Sequence, residues 1–233
     1  MKREFLLILT AVTLFAFPTV SFGQAPNLGT AADFAVFTAV GAFANVGATN
    51  ITGGDIGTNA GAFTGFPPGT VIGQIHVADP ASAQAAIDVN TAYTSLSGVT
   101  CGPVLGTTLG NNQVLTPNVY CLGAASTLNG NLTLDGQADP NAVFIFKING
   151  ALSTTTSSTI TLINGACWSN VYFQINGEVS LGTNSIFRGN ILANGAISLL
   201  QGAALQGRAL SRAGAISLHT NRIAALQFCG CPL

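Results

Sequence analysis

Between Gly177 and His219 the chain repeats itself. Val179-Ser180-Leu181 returns as Ile197-Ser198-Leu199 and again as Ile216-Ser217-Leu218, at intervals of 18 and then 19 residues. Ile186-Phe187-Arg188-Gly189 returns at about the same offset as Leu205-Gln206-Gly207. Each period holds three short runs in which apolar and small polar residues alternate, with Gly or Asn-Gly at the corners. Alternation of this kind belongs to strands, and a period near 20 belongs to stacked units, none of which buries its apolar side until a neighbour covers it. The pattern predicts an all-β chain wound as a three-sided parallel β-helix.

The runs sort into three predicted faces. The first takes 127–133, 158–162, 185–188 and 204–206. The second takes 143–148, 171–175, 190–193 and 208–211, and the third takes 151–154, 178–181, 196–199 and 215–218. Because successive strand residues point to opposite sides, Leu128, Ile160, Ile186 and Leu205 are expected to stack inward on the first face. Thr127, Asn129, Thr159, Thr161, Ser185, Phe187, Ala204 and Gln206 then point outward. Asn50-Ile51-Thr52-Gly53-Gly54-Asp55-Ile56-Gly57 has the same cadence, so one N-terminal coil, bringing Thr49, Asn50 and Thr52, is expected to extend that row. Residues 34–40 read as a first strand, and 62–77, with Pro67-Pro68-Gly69, as a turn-rich loop.

Met1-Lys2-Arg3 precedes an apolar run over 5–17 that is too short to span a bilayer, and Pro18, Ser21 and Gly23 follow. This is the layout of a secretory signal peptide, over residues 1–23, which leaves 24–233 as one exported domain. Only 6% of the chain is charged, against about a quarter in ordinary domains. Without Lys2, Arg3 and Glu4 there remain five basic and seven acidic residues. No Lys/Arg cluster is present to neutralise phosphates, which excludes nucleic acid as a partner and argues against strong electrostatic attraction to membranes or acidic polymers. Five cysteines suit an oxidising compartment. Cys101 and Cys121 bracket a Gly/Asn/Pro-rich loop and are expected to pair. Cys167 reads as a small buried apolar residue, and Cys229 and Cys231 bridge each other or reach elsewhere.

One helix stands out, over about 80–97. Asp79 is a capping residue and Pro80 suits the first helical position. Ala85, Val89, Ala92 and Leu96 form a stripe for close packing, and Gly98 ends it. Its expected role is a brace along one face.

Little in the chain points to catalysis, cofactors or metals. Asp33, Asp55, Asp79, Asp88, Asp135, Asp139 and Glu178 sit mostly beside Gly, Pro or Asn, where turns and caps use them. His76 and His219 lack metal-ligand spacing. A polysaccharide lyase needs charge neutralisation and a base in one groove. Arg188, Arg208, Arg212, Arg222 and His219 offer the cations for it, but no calcium-binding carboxylate cluster accompanies them. A carbohydrate-binding or adhesive solenoid is the further alternative, although Trp168 and the three tyrosines form no row of stacking platforms.

Several stretches resemble the bacterial and fungal ice-binding proteins built on an irregular, discontinuous β-solenoid. They are I-T-G-G-D-I-G (51–57), F-P-P-G (66–69), A-Y-T-S-L (92–96), L-T-P-N-V-Y (115–120), L-T-L-D-G-Q-A-D-P-N-A-V-F-I-F-K-I (132–148), L-I-N-G-A-C (162–167) and F-R-G-N-I-L-A (187–193). The resemblance implies a right-handed solenoid of triangular section with the helix alongside, an N-terminal coil inserted among C-terminal ones, and a capping loop over about 98–121. It also implies a monomer whose partner is the ice surface, met through one flat neutral face, so that ice growth and recrystallisation are inhibited. On the assignment above that face is the first, with Thr49, Asn50, Thr52, Thr127, Asn129, Thr159, Thr161, Ser185, Ala204 and Gln206 as its contact residues. The Thr-Ala/Gly-x-Thr/Asn motif some of these proteins carry is altered here to Val46-Gly47-Ala48-Thr49 and Gln201-Gly202-Ala203-Ala204. Thr91-Ala92-Tyr93-Thr94 fits that formula but falls on the predicted helix.

Overall fold

The computed structural model describes residues 24–226; the signal-peptide reading and the two tail cysteines lie outside them. The chain winds as a three-sided parallel β-solenoid. One 8-stranded sheet forms a face by itself, and a 15-stranded sheet bends round a corner to supply the other two. The bend lies within Ile186–Ala193 and Ala204–Ser211, whose first halves belong to one face and second halves to the next. Glycine makes that corner possible. Gly189 and Gly207 have φ of 137° and 142°, and a Cβ on Gly207 would collide with the Gly189 carbonyl one coil away; only glycine takes this conformation without strain.

The predicted second face holds Phe144–Ile148, Val171–Ile175 and the second halves of the two long strands, in parallel register. Phe34–Thr38 pairs with the last of these, and Asp55–Thr58 pairs with Phe34–Thr38. The strands here are buried on both sides, because helix α1, Pro80–Gly98, covers them. Asp79 takes the Ser82 backbone N–H at 2.8 Å and the Ser82 hydroxyl takes the Asp79 N–H, a reciprocal cap. Ala85, Val89, Ala92 and Leu96 are fully buried against Phe34, Phe37, Ile145, Tyr172, Leu192 and Leu210. Four small or branched side chains on one stripe let the helix lie close to the sheet, as expected.

Inside the triangle, side chains stack coil on coil. Tyr120, Phe146, Phe173 and Phe187 form an aromatic ladder with centroids 5.4, 4.6 and 4.7 Å apart. Such close-packed ladders make each coil's apolar side depend on its neighbours.

The order of coils departs from expectation. Phe43–Val46 pairs with Ile216–His219 and Asn50–Thr52 with Arg222–Ala224, so the N-terminal coil stacks past the last C-terminal coil and is not inserted among them. A second N-terminal coil follows, since Phe63–Thr64, Thr70–Ile72 and Ile75–Val77 are paired strands within the stretch expected to be loop. At the opposite end, Val104–Leu105, Thr108–Gly110 and Gln113–Leu115 form a terminal coil where a capping loop was expected. Short strands of two or three residues leave no alternation long enough to read. The Cys101–Cys121 disulfide, with Cα atoms 5.8 Å apart, ties this coil to its neighbour. Cys167 is disulfide-bonded as well, which corrects its reading as merely a buried apolar residue.

Candidate functional site

With one face under α1, two remain open, and their outward rows differ. The 8-stranded face carries the register Thr108, Thr127, Ser153, Ser180, Ser198, Ser217, Ala44, Thr64 from end to end, each residue directly beside the next. Seven of these eight side chains are short hydroxyls. No register shift interrupts this ladder, and Thr127 Oγ1 and Ser153 Oγ lie 3.1 Å apart. Two residues earlier on successive coils stand Ala125, Ala151, Glu178, Ala196, Ala215, Ala42 and Ala62. Backbone bonds of 2.8–2.9 Å keep them in step: Ser126 donates to the Ala151 carbonyl, Leu152 to Glu178, Val179 to Ala196, Ile197 to Ala215, Ile216 to Ala42 and Phe43 to Ala62. A column of methyls, interrupted at Glu178, thus runs beside a column of hydroxyls, and on the far side of the hydroxyls Asn129, His219 and Val46 also face outward.

The sequence builds this face simply. In Ala-Ile-Ser-Leu the two aliphatics point inward and are buried, while Ala and Ser alternate outward; Leu152, Val179, Ile197 and Ile216 stack beneath the ladder. Ser153, Ser180, Ser198 and Ser217 were on the predicted third face but were not among the expected contact residues. The signal that marks them was the opening repeat itself, a serine held between two apolar residues at every return.

The other open face has a mixed outer row. One column reads Asn131, Thr159, Ile186, Ala204, Arg222, Asn50, Thr70, and a second includes Val114, Thr133, Gln206, Ala224, Thr52 and Ile72. Arg188 lies beside Gln206 in the second column. Between Ile186, Arg188, Gln206 and Arg222 the short Ala204 and Ala224 leave a groove of about 670 Å³. Burial holds the Arg188 guanidinium below the usual arginine range; its Nε donates to Gln206 Oε1 at 3.0 Å and a second nitrogen donates to the Ile160 carbonyl.

The ten residues expected to share one face are therefore split. Asn50, Thr52, Thr159, Thr161, Ala204 and Gln206 do point outward on the grooved face. Thr127 and Asn129 belong to the 8-stranded face, because 127–133 is two strands, Ser126–Asn129 and Asn131–Asp135, with a corner at Gly130 where φ is +64°. The polar-Leu-polar alternation runs straight across that corner and conceals it. Thr49 and Ser185 are each 1% exposed; Thr49 accepts the Asn221 backbone N–H at 3.0 Å and Ser185 closes a turn on Gly182. Burying Ser185 shifts the count by one, so Ile186, expected inside, is 38% exposed and Phe187, expected outside, is 1% exposed.

Of the cations weighed for lyase chemistry, Arg208 and Arg212 lie away from the groove that Arg188 and Arg222 flank. Arg208 lies on the helix-side face over Trp168, 5.3 Å from its ring centroid, and donates to the Ala32 carbonyl. Arg212 sits over Tyr93 at 5.2 Å. No group of three His, Cys, Asp or Glu among the described residues is placed to hold a metal ion. No helix there is long and apolar enough to cross a membrane.

Comparison with known proteins agrees with this architecture. A family model described as "Ice-binding-like" matches residues 37–224. The chain is similar to an ice-binding protein of Nostoc sp. (strain HG1), at 39% identity over 95% of this chain and 82% of that one. Among solved structures, the ice-binding protein of the Antarctic ascomycete Antarctomyces psychrotrophicus superposes with a TM-score of 0.84 at 36% identity, covering 88% of this chain and all of that one. An ice-binding protein from an Antarctic biological consortium superposes with a TM-score of 0.83 at 35% identity, over 88% and 92% of the two chains. Matched along nearly the whole solenoid, this chain belongs to the ice-binding-like family.

Proposed function

We propose that the protein is exported and adsorbs to ice through the 8-stranded face, thereby restraining ice growth and recrystallisation. The observation that carries the reading is the double column on that face: hydroxyls from Thr108 to Thr64 beside methyls from Ala125 to Ala62, held in one unbroken parallel register. Neighbouring strands repeat at ~4.8 Å. A stiff array of methyls and hydroxyls at such a repeat holds the water above it in ordered positions that join a growing crystal. Charges oppose this, since they turn water dipoles toward themselves, and within the two columns there is one, Glu178. Adsorbed molecules pin the growth front, which must curve between them, and freezing is lowered locally. No bond is made or broken, and no cofactor is involved.

The grooved face is the poorer surface for this purpose. Arg188 and Arg222 project from it, and Ile186 stands above Ala204, so its water meets a hollow and two charges.

Partition of the recombinant chain into a slowly grown ice hemisphere tests the assignment. Ser198→Tyr and Ser153→Tyr, each raising a bulky ring above the array, are expected to leave the melting temperature nearly unchanged and to abolish incorporation. Thr159→Tyr on the grooved face is expected to incorporate as the parent does. Incorporation of both serine variants would reject this face, and exclusion of the parent would reject ice adsorption itself.

A further inference from the structure

The grooved face has features that ice adsorption does not use. Of the five cations between residues 24 and 226, two, Arg188 and Arg222, flank one groove. Among the described residues the ion pairs are those of His76 with Asp55 and Asp79, so neither arginine is neutralised by a carboxylate. Asp135, the acid on this face, stands beyond Thr133 near the far corner and is engaged by Gln137 N–H and the Asn164 amide. Composition alone argues against an acidic polymer as partner, but two of the five cations share this groove, and the Arg188 bonds to Gln206 and the Ile160 carbonyl are to neutral acceptors that leave its charge without a counter-ion.

The two charges do not pinch a single point. Arg222 pairs with Ala204, which pairs with Ile186, and Arg188 lies two residues beyond Ile186. They are thus two coils apart, ~10 Å along the solenoid axis, and displaced along the strand as well. The bond from Arg188 to the Ile160 carbonyl draws its head further from Arg222. Gln206 and Ala204 lie on the coil between them, Ala224 shares the strand of Arg222, and Asn50 and Thr52 continue the groove one coil beyond Arg222. Separated cations in one groove that also carries amides and a hydroxyl suit a ligand that spaces its acids along a hydroxyl-rich chain.

We infer that this groove is a second binding surface, for a linear acidic polysaccharide of the polyuronate type, lying along the solenoid axis with carboxylates at Arg188 and Arg222. The groove and the 8-stranded face are different sides of the triangle, so one molecule engages a polymer matrix and ice together. The inference stands apart from ice adsorption, and the two are measured separately.

Affinity electrophoresis of the folded chain in gels containing alginate, with dextran as the neutral control, tests it. Retardation is expected in alginate and not in dextran, fading as salt rises. Arg222→Gln, an exposed position, is expected to weaken it by roughly tenfold, and Arg222→Lys to retain most of it. Ice partition of all these chains is expected to match the parent. No retardation of the parent at low salt, undiminished retardation of Arg222→Gln, or equal binding of the parent to phosphatidylglycerol vesicles would each overturn the proposal, the last because it marks attraction to any anion.

Discussion

Glu178 is the residue at which the proposed ice face is least like itself. It occupies the alanine column between Ala151 and Ala196, and its backbone bonds are those of its neighbours, so nothing in the fold requires a carboxylate there. Glu178→Ala completes the column and removes the charge from the array. The expected result is stronger ice adsorption, read as greater freezing-point depression at equal concentration, with stability changed by no more than ~0.5 kcal/mol because the site is exposed. Unchanged or weaker activity would show that the alanine column is no part of the contact. At this scale the sequence misleads in a specific way. Ser185, Ile186 and Phe187 alternate as polar, apolar, apolar, and only the burial of Ser185 at a corner decides that Phe187 joins the aromatic ladder while Ile186 faces water. A serine that turns inward at a corner has the same letter as one that turns outward to water.

Among the elements, α1 is the most self-contained. Its cap is electrostatic as well as geometric. The Ser82 backbone N–H, and then the His76 ring 2.7 Å away, hold the Asp79 carboxyl at about 2, below its ordinary 3.8. A depressed folded value means that the cap contributes its stability above pH ~4 and loses it as pH falls toward 2. Thermal melts are therefore expected to show a gap between the parent and Asp79→Asn at pH 5 that narrows by pH 2.5; a constant gap would place the stabilisation elsewhere. The helix was legible because its signals are local: Asp79-Pro80, a stripe at helical spacing, Gly98. The faces built from 143–148, 171–175 and 196–199 were legible too, since each strand there matches one run between obvious corners. The coils at the two ends were not. Their strands hold two or three residues, too few for a period, although each pairs with a strand only one coil away in the chain. The proposed contact surface was hidden for another reason: choosing between two polar rows requires the register across coils, which only the assembled stack displays.

Across the whole molecule, stability rests on neighbours covering neighbours, which leaves the terminal coils least secured. The Cys101–Cys121 bond closes a stretch of 20 residues at one end. Removing it by the paired change Cys101→Ser and Cys121→Ser is expected to lower stability by ~3 kcal/mol, seen as earlier urea unfolding, while ice partition persists because most of the hydroxyl ladder lies on other coils. Loss of partition with the fold intact would extend the contact surface to Thr108 and the end coil. At the opposite end the seam between Phe43–Val46 and Ile216–His219 joins segments from the two ends of the chain. Contacts this distant in sequence form late and slow folding.

Helix α1 has a consequence that belongs to its length. It leaves the stack after Ile75–Val77 and returns the chain to Val104–Leu105 at the other extremity, so the rod and the short segments flanking it must together reach from the first layer to the last. Each extra layer would lengthen that distance by ~4.8 Å, the rise of about three helical residues. The rod therefore gauges how many layers the molecule holds: duplicating one repeat without adding a turn to α1 would leave the return connection too short to close.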